Sequence, residues 1–149
     1  MAFSRIELRN FRCFDALSID ISSKSSLFYG KNGCGKTSIL ESIYVASCGR
    51  SFRTSNLGSL IKKGSNSFKI EAYDDSSGSI IEVFKTKSKP ISIKINNSLV
   101  TTSELARTFP SFSIDSKTFF YNHNAPDYRR KHLDRGLFIA STDSVSYTH

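Results

Sequence analysis

Apolar and polar residues alternate with a period of two at the start of the chain. Ile6 and Leu8 are set among Arg5, Glu7 and Arg9, and Ile19 and Ile21 alternate with Ser18 and Asp20. This pattern predicts two half-buried strands within residues 5–21. A compact run, Ser26-Leu27-Phe28-Tyr29, ends at Gly30 and predicts a strand feeding directly into a loop. From Thr37 the period becomes helical. Ile39, Leu40, Ile43, Tyr44 and Ala46 or Ser47 fall on one face, and Gly49 is placed to end the helix.

Residues 68–100 return to period two and predict an antiparallel meander. Two strands flank the turn Asp74-Asp75-Ser76-Ser77-Gly78, and Ile91, Ile93 and Ile95 alternate before a turn at Asn96-Asn97. Residues 103–107 predict a short helix, with Ser103 as its cap and Pro110 as its stop. A further strand or two is expected over 111–121. A second amphipathic helix is expected from Asp127 to about Ile139, with Tyr128, Leu133, Leu137 and Phe138 as its apolar positions. Residues 140–149 have no periodicity.

A chain of 149 residues with 38% hydrophobic and 23% charged residues has the content of one ordinary globular core. Charge changes the picture more. A formal net charge of +8 favours polyanionic partners through phosphate contacts and counterion release. Arg5, Glu7, Arg9 and Arg12 interrupt the start, so no secretory leader is read there, and no apolar stretch reaches spanning length. Cys13, Cys34 and Cys48 are odd in number and lack C-x-x-C spacing, which fits a reducing compartment. The expectation is a cytoplasmic protein with no membrane partner.

The chemistry concentrates in Gly30, Lys31, Asn32, Gly33, Cys34, Gly35, Lys36 and Thr37, which satisfy G-x-x-x-x-G-K-[ST] at every fixed position. The glycines allow successive N–H groups to turn inward as an anion-binding nest, and the following helix adds its positive N-terminal end. Lys36 is expected to reach β- and γ-phosphates, and the Thr37 hydroxyl to ligate Mg²⁺. Lys31 and Asn32 set loop shape and charge, and Cys34 fills a place where a small residue is wanted.

The segments "LRNFR", "GKNGCGKT", "GRSFR" and "APDYRRKHLDRGLF" together resemble the N-terminal part of the RecF family of DNA repair ATPases. The resemblance implies an α/β fold: a P-loop NTPase of ABC/SMC-head type, whose N-terminal lobe carries an antiparallel β subdomain. That lobe would span residues 1–139, with 140–149 as the irregular end of a truncated chain. It implies ATP and Mg²⁺ as cofactors, binding to single-stranded or gapped DNA, an ATP-dependent homodimer in the complete protein, and recombination-mediator proteins as partners. It implies a place in replication, repair and the SOS response. Arg12 falls where related heads approach the nucleotide, or is a surface arginine at a strand end. Arg50 and Arg53 suit DNA phosphates or an internal ion pair. Arg129, Arg130 and Lys131 suit DNA phosphates or a solvated helix face.

The sequence departs from that family in what it lacks. No apolar strand ending Asp-Glu and no L-S-G-G-like signature is found, and residues 113–116 carry no convincing Gln loop. The parallel sheet is therefore expected to be incomplete, hydrolysis by this chain is in doubt, and the chain alone is expected to aggregate or to bind ATP weakly. Two alternatives stay open: the ATPase head of a nuclease-fused defence protein, and a non-hydrolysing fragment.

Overall fold

The computed structural model describes residues 3–21 and 25–114, together with Pro126 and Arg130. The chain divides into two compact units, residues 1–111 and 112–149. In the second, residues 112–114 have no regular structure, and Pro126 and Arg130 are helical and exposed. The expected strands are absent from 111–114. The expectations for 115–121, the other positions of the 127–139 helix and the tail lie outside the described residues.

The first unit is one six-stranded sheet with a helix on its buried face. Strands β1 (Arg5–Phe11), β2 (Phe14–Asp20), β3 (Ser67–Asp74), β4 (Ser79–Thr86), β5 (Ser92–Ile95) and β6 (Ser98–Leu99) pair antiparallel in the order β2-β1-β3-β4-β5-β6. Alternation decides the faces. Ile6 and Leu8 on β1, Phe68, Ile70 and Ala72 on β3, and Ile81 and Val83 on β4 point into one core. The alternation breaks at Asn10, whose φ is 52°. Phe11 is thereby buried edge-on against Phe68, with ring centroids 5.3 Å apart.

The opposite face carries an ion-pair network beside the exposed Ile80 and Phe84. There Lys69 bridges Glu71 at 3.1 Å and Glu82 at 2.7 Å, and Lys94 reaches Glu82 at 3.7 Å. The meander ends as its residues demand. Asn96 and Asn97 both take positive φ in the two-residue β5–β6 turn, a conformation asparagine tolerates.

Helix α1 (Lys36–Cys48) follows the glycine-rich loop and closes where Gly49 N–H donates to Val45 O at 2.8 Å. Its buried face corrects the sequence expectation. Ser38, Glu41, Ser42, Val45, Ala46, Ser47 and Cys48 are buried, whereas Leu40 is half exposed. Of the predicted face Ile39, Leu40, Ile43, Tyr44 and Ala46 or Ser47, only Ala46 and Ser47 are fully buried; small side chains let α1 lie close on the sheet, and Glu41 is buried because cations meet it there.

A second correction concerns residues 26–29. They lie outside the sheet, with Leu27 and Tyr29 more than four-fifths exposed. An apolar run of this length reads as a strand, but among the described residues no strand pairs with it. A third correction concerns α2 (Thr102–Thr108), whose N-cap is Thr101 rather than Ser103. The Thr101 hydroxyl accepts from Glu104 N–H at 3.2 Å, and the Glu104 carboxylate accepts from Thr101 N–H at 2.7 Å. This reciprocal pair outcompetes Ser103, which has no such partner three residues on.

Candidate nucleotide-phosphate site

The loop of residues 30–37 joins the exposed segment 25–29 to α1. Gly30, Gly33 and Gly35 have φ of 148°, 86° and 97°. Gly35 also sits where nothing larger fits, because a Cβ there would lie 2.4 Å from Phe14 Cζ and 3.0 Å from Cys13 Sγ. The β1–β2 hairpin thus presses on the loop from below. The first intrahelical bond is Ile39 N–H to Gly35 O at 3.0 Å, so the N–H groups of Lys36, Thr37 and Ser38 have no helical acceptor. Lys36 Nζ donates to Gly30 O and Lys31 O, each at 2.7 Å, and lies 3.9 Å from Cys34 Sγ. Thr37 is exposed in the first turn.

A cleft of about 640 Å³ opens over this loop, lined in part by Asn32, Gly33, Lys36 and Thr37 and walled by Arg12, Arg53 and Lys63. Arg12 occupies the two-residue turn between β1 and β2, at φ 53°. A first central residue with positive φ is normally glycine or asparagine, and an arginine there is strained. The Glu41 carboxylate holds it. Arg12 Nε donates to Oε2 at 2.9 Å and Nη2 to Oε1 at 2.8 Å, while Nη1 donates to Ser59 O at 3.1 Å.

Glu41 is wholly buried and collects further donors. Ser51 Oγ donates to Oε1 at 2.5 Å, and Arg53 Nη1 lies 3.6 Å from Oε2. Burial works to raise the Glu41 pKa, but the hydrogen bonds from Arg12 and Ser51 and the charges of Arg12 and Arg53 outweigh it. The carboxyl is held below its ordinary value.

The sequence-predicted loop residues are therefore brought together, and Arg12 joins them as one wall of the cleft. Arg53 takes the ion-pair role while remaining half exposed. Arg50, with Phe52 and Arg53, lines a neighbouring groove of about 540 Å³. Phe52 is fixed there by an edge contact with Tyr44, ring centroids 5.6 Å apart. Arg129 and Lys131 lie outside the described residues. Glu41 was not singled out from the sequence. Its one signal is a carboxylate in the middle of an otherwise uncharged helix face, followed by no acid until Glu71.

Against known proteins, a family profile described as AAA domain matches residues 5–135. The chain belongs to the AAA domain family. Among curated relatives, this AAA domain is 37% identical over 142 residues to the DNA replication and repair protein RecF of Pseudoalteromonas translucida, covering 93% of the chain and 39% of that protein. It is 38% identical over 141 residues to RecF of Francisella tularensis subsp. novicida, covering 93% and 40%. The chain thus spans about two fifths of the length of the curated relatives it matches. Among solved structures, RecF described as the recombination mediator with ATP superposes with a TM-score of 0.83 at 26% identity, covering 95% of this chain and 40% of that one. A structure from work on ATP-driven dimerization of SMC ATPases superposes at 0.70 with 20% identity, covering 89% and 98%, a likeness of fold. The resemblance to the N-terminal part of RecF and the ABC/SMC-head fold class are borne out. Among the described residues no helix is long and apolar enough to cross a membrane, and no three or more His, Cys, Asp or Glu group to hold a metal.

Proposed function

We propose that this chain is the nucleotide-binding lobe of a RecF-type DNA repair ATPase, extending over residues 1–139. The observation that supports it is the loop of residues 30–37: three glycines at positive φ, three helical N–H groups without an intrahelical acceptor, and a lysine ammonium curled over the same loop. The site fits the β- and γ-phosphates of ATP. Gly30, Lys31, Asn32, Gly33, Cys34 and Gly35 form the cradle, Lys36 supplies the point charge, and Thr37 offers a hydroxyl to Mg²⁺. When bound, Mg²⁺ would supply charge neutralisation between neighbouring phosphates. Binding, not hydrolysis, is the activity assigned to this chain.

By the same reading the chain acts on single-stranded or gapped DNA, through Arg50, Arg53, Arg129, Arg130 and Lys131, in the cytoplasm. It belongs to a complete protein that dimerises with ATP, works with recombination mediators and supports the SOS response. The RecF relatives and the RecF–ATP structure support this assignment. The test is equilibrium binding of a fluorescent ATP analogue with and without Mg²⁺. Lys36→Ala, a side chain whose contacts are to loop carbonyls and the Cys34 sulfur, is expected to weaken binding at least tenfold while the far-UV spectrum stays unchanged. Equal affinity for wild type and Lys36→Ala would reject the site.

A further inference from the structure

The net charge of +8 is not spread along the chain. Residues 42–70 and 83–103 hold nine of the 21 Lys and Arg and none of the 13 Asp and Glu. The remaining twelve cations face all thirteen acids and nearly cancel. The whole excess therefore lies in two segments separated in sequence by more than ten residues.

The fold joins them. Ser67 pairs with Thr86 where β3 begins and β4 ends. Beyond that pair, Lys87 N–H donates to Asn66 O at 3.1 Å and Lys87 Nζ to Asn66 Oδ1 at 3.3 Å. The turn of residues 62–65, closed by Ser65 N–H to Lys62 O, stands next to the β4–β5 connection. That connection is itself pinned: Lys89 N–H donates to Thr86 Oγ1 at 3.0 Å, and Lys85 Nζ donates to the carbonyls of Thr86 and Lys89, both at 2.5 Å.

Ion pairing removes some of the nine. Lys69 and Lys94 are matched by Glu71 and Glu82, Lys62 by Asp15 at 2.5 Å, and Arg53 by Glu41. Among the described residues, Lys63, Lys87 and Lys89 have no carboxylate within reach, and all three are exposed. Lys63 also walls the phosphate cleft. The other end of the same strands carries Asp74 and Asp75, about 23 Å away at 3.3 Å per residue along β3. The β3–β4 pair is thus polarised along its length, positive at the end beside the cleft.

We propose that this end of the sheet, presenting Lys63, Lys87 and Lys89 on pinned turns, is a contact surface for the phosphate backbone of DNA. It rests on the DNA-binding reading above and adds a surface which that reading leaves out. A pinned backbone lowers the ordering cost of contact, and three exposed ammonium groups without a carboxylate partner at one end of the strands fit a repeating polyanion rather than a single anion.

The experiment measures binding of a fluorescent single-stranded oligonucleotide by anisotropy across a salt series, for wild type, K87Q/K89Q and K87R/K89R. Two lost phosphate contacts should make the log–log salt slope shallower by about 1.4 on single-stranded DNA. K87R/K89R should keep the wild-type slope, and affinity for the fluorescent nucleotide should not change in either variant. Adding Lys63→Gln should remove about 0.7 more. A wild type that binds DNA with a slope K87Q/K89Q leaves untouched overturns the surface while the DNA reading stands. A wild type with no salt-dependent DNA binding overturns both.

Discussion

Replacing Glu41 by alanine tests the site's architecture. The carboxylate is fully buried and accepts two hydrogen bonds from Arg12 and one from Ser51, with Arg53 at 3.6 Å. Removing one partner of a buried, hydrogen-bonded ion pair typically costs 3–5 kcal/mol, because the remaining charge is left without compensation. The Arg12 side chain is 22% exposed, so water recovers part of its solvation. A loss near the lower limit, about 3 kcal/mol, is expected. For a unit of this size that lowers Tm by roughly 10–15 °C. Urea unfolding followed by circular dichroism measures it, and an Arg12→Ala, Glu41→Ala double-mutant cycle isolates the pair. The pH dependence has a definite sign. The folded Glu41 pKa lies below its ordinary value of 4.5, so its stabilisation is present above that value and is lost as pH falls through the folded pKa. The gap in stability between wild type and Glu41→Gln should therefore narrow below about pH 4.5. A loss under about 1 kcal/mol at pH 7, or a coupling energy near zero, would refute the claim that Glu41 holds Arg12 at the cleft.

The remaining predictions concern the loop and its approach. Gly35→Ala meets both a positive φ and the Phe14 ring, whereas Gly33→Ala, at φ 86°, meets no atom within 4 Å. Gly35→Ala should abolish nucleotide binding and lower Tm, with Gly33→Ala the milder of the two; equal effects would show that the hairpin does not press on the loop. Leu27 and Tyr29 are 85% and 87% exposed, and an exposed apolar segment of this kind promotes association. Leu27→Lys with Tyr29→Lys should shift the chain toward monomer in light scattering, and an unchanged size distribution would place the cause elsewhere. The Lys36→Ala and Lys87→Gln, Lys89→Gln measurements complete the set.

What the sequence made legible follows from how local each signal is. The β3–β6 meander was readable because period-two alternation and the Asp-Asp-Ser-Ser-Gly and Asn-Asn turns are written in adjacent residues. The phosphate loop was readable because its chemistry needs fixed residue types at consecutive places. The buried face of α1 was not, because it is decided by partners ten or more residues away: Glu41 is inside because Arg12 and Ser51 are there. The same holds for residues 26–29, where apolar content says nothing about which strand, if any, lies alongside. Thr101 was missed as a cap because its reciprocal partner, Glu104, also lies near the more conventional-looking Ser103.

Two cations at the cleft, Lys36 and Arg12, are held by partners of different strength, and this sets their roles. Lys36 is held by two neutral carbonyls, Gly30 O and Lys31 O. Arg12 is held by a full carboxylate through two parallel bonds, the stronger and more directional arrangement. A phosphate entering the cleft competes with carbonyl dipoles for the Lys36 ammonium, a contest an anion wins. To take Arg12 it must displace a buried carboxylate and leave that charge with only Ser51 and Arg53. The lysine is therefore the mobile charge that follows the phosphate. The arginine is a fixed positive wall that ties the β1–β2 turn to α1, and its removal should be felt first in stability and only secondarily in affinity.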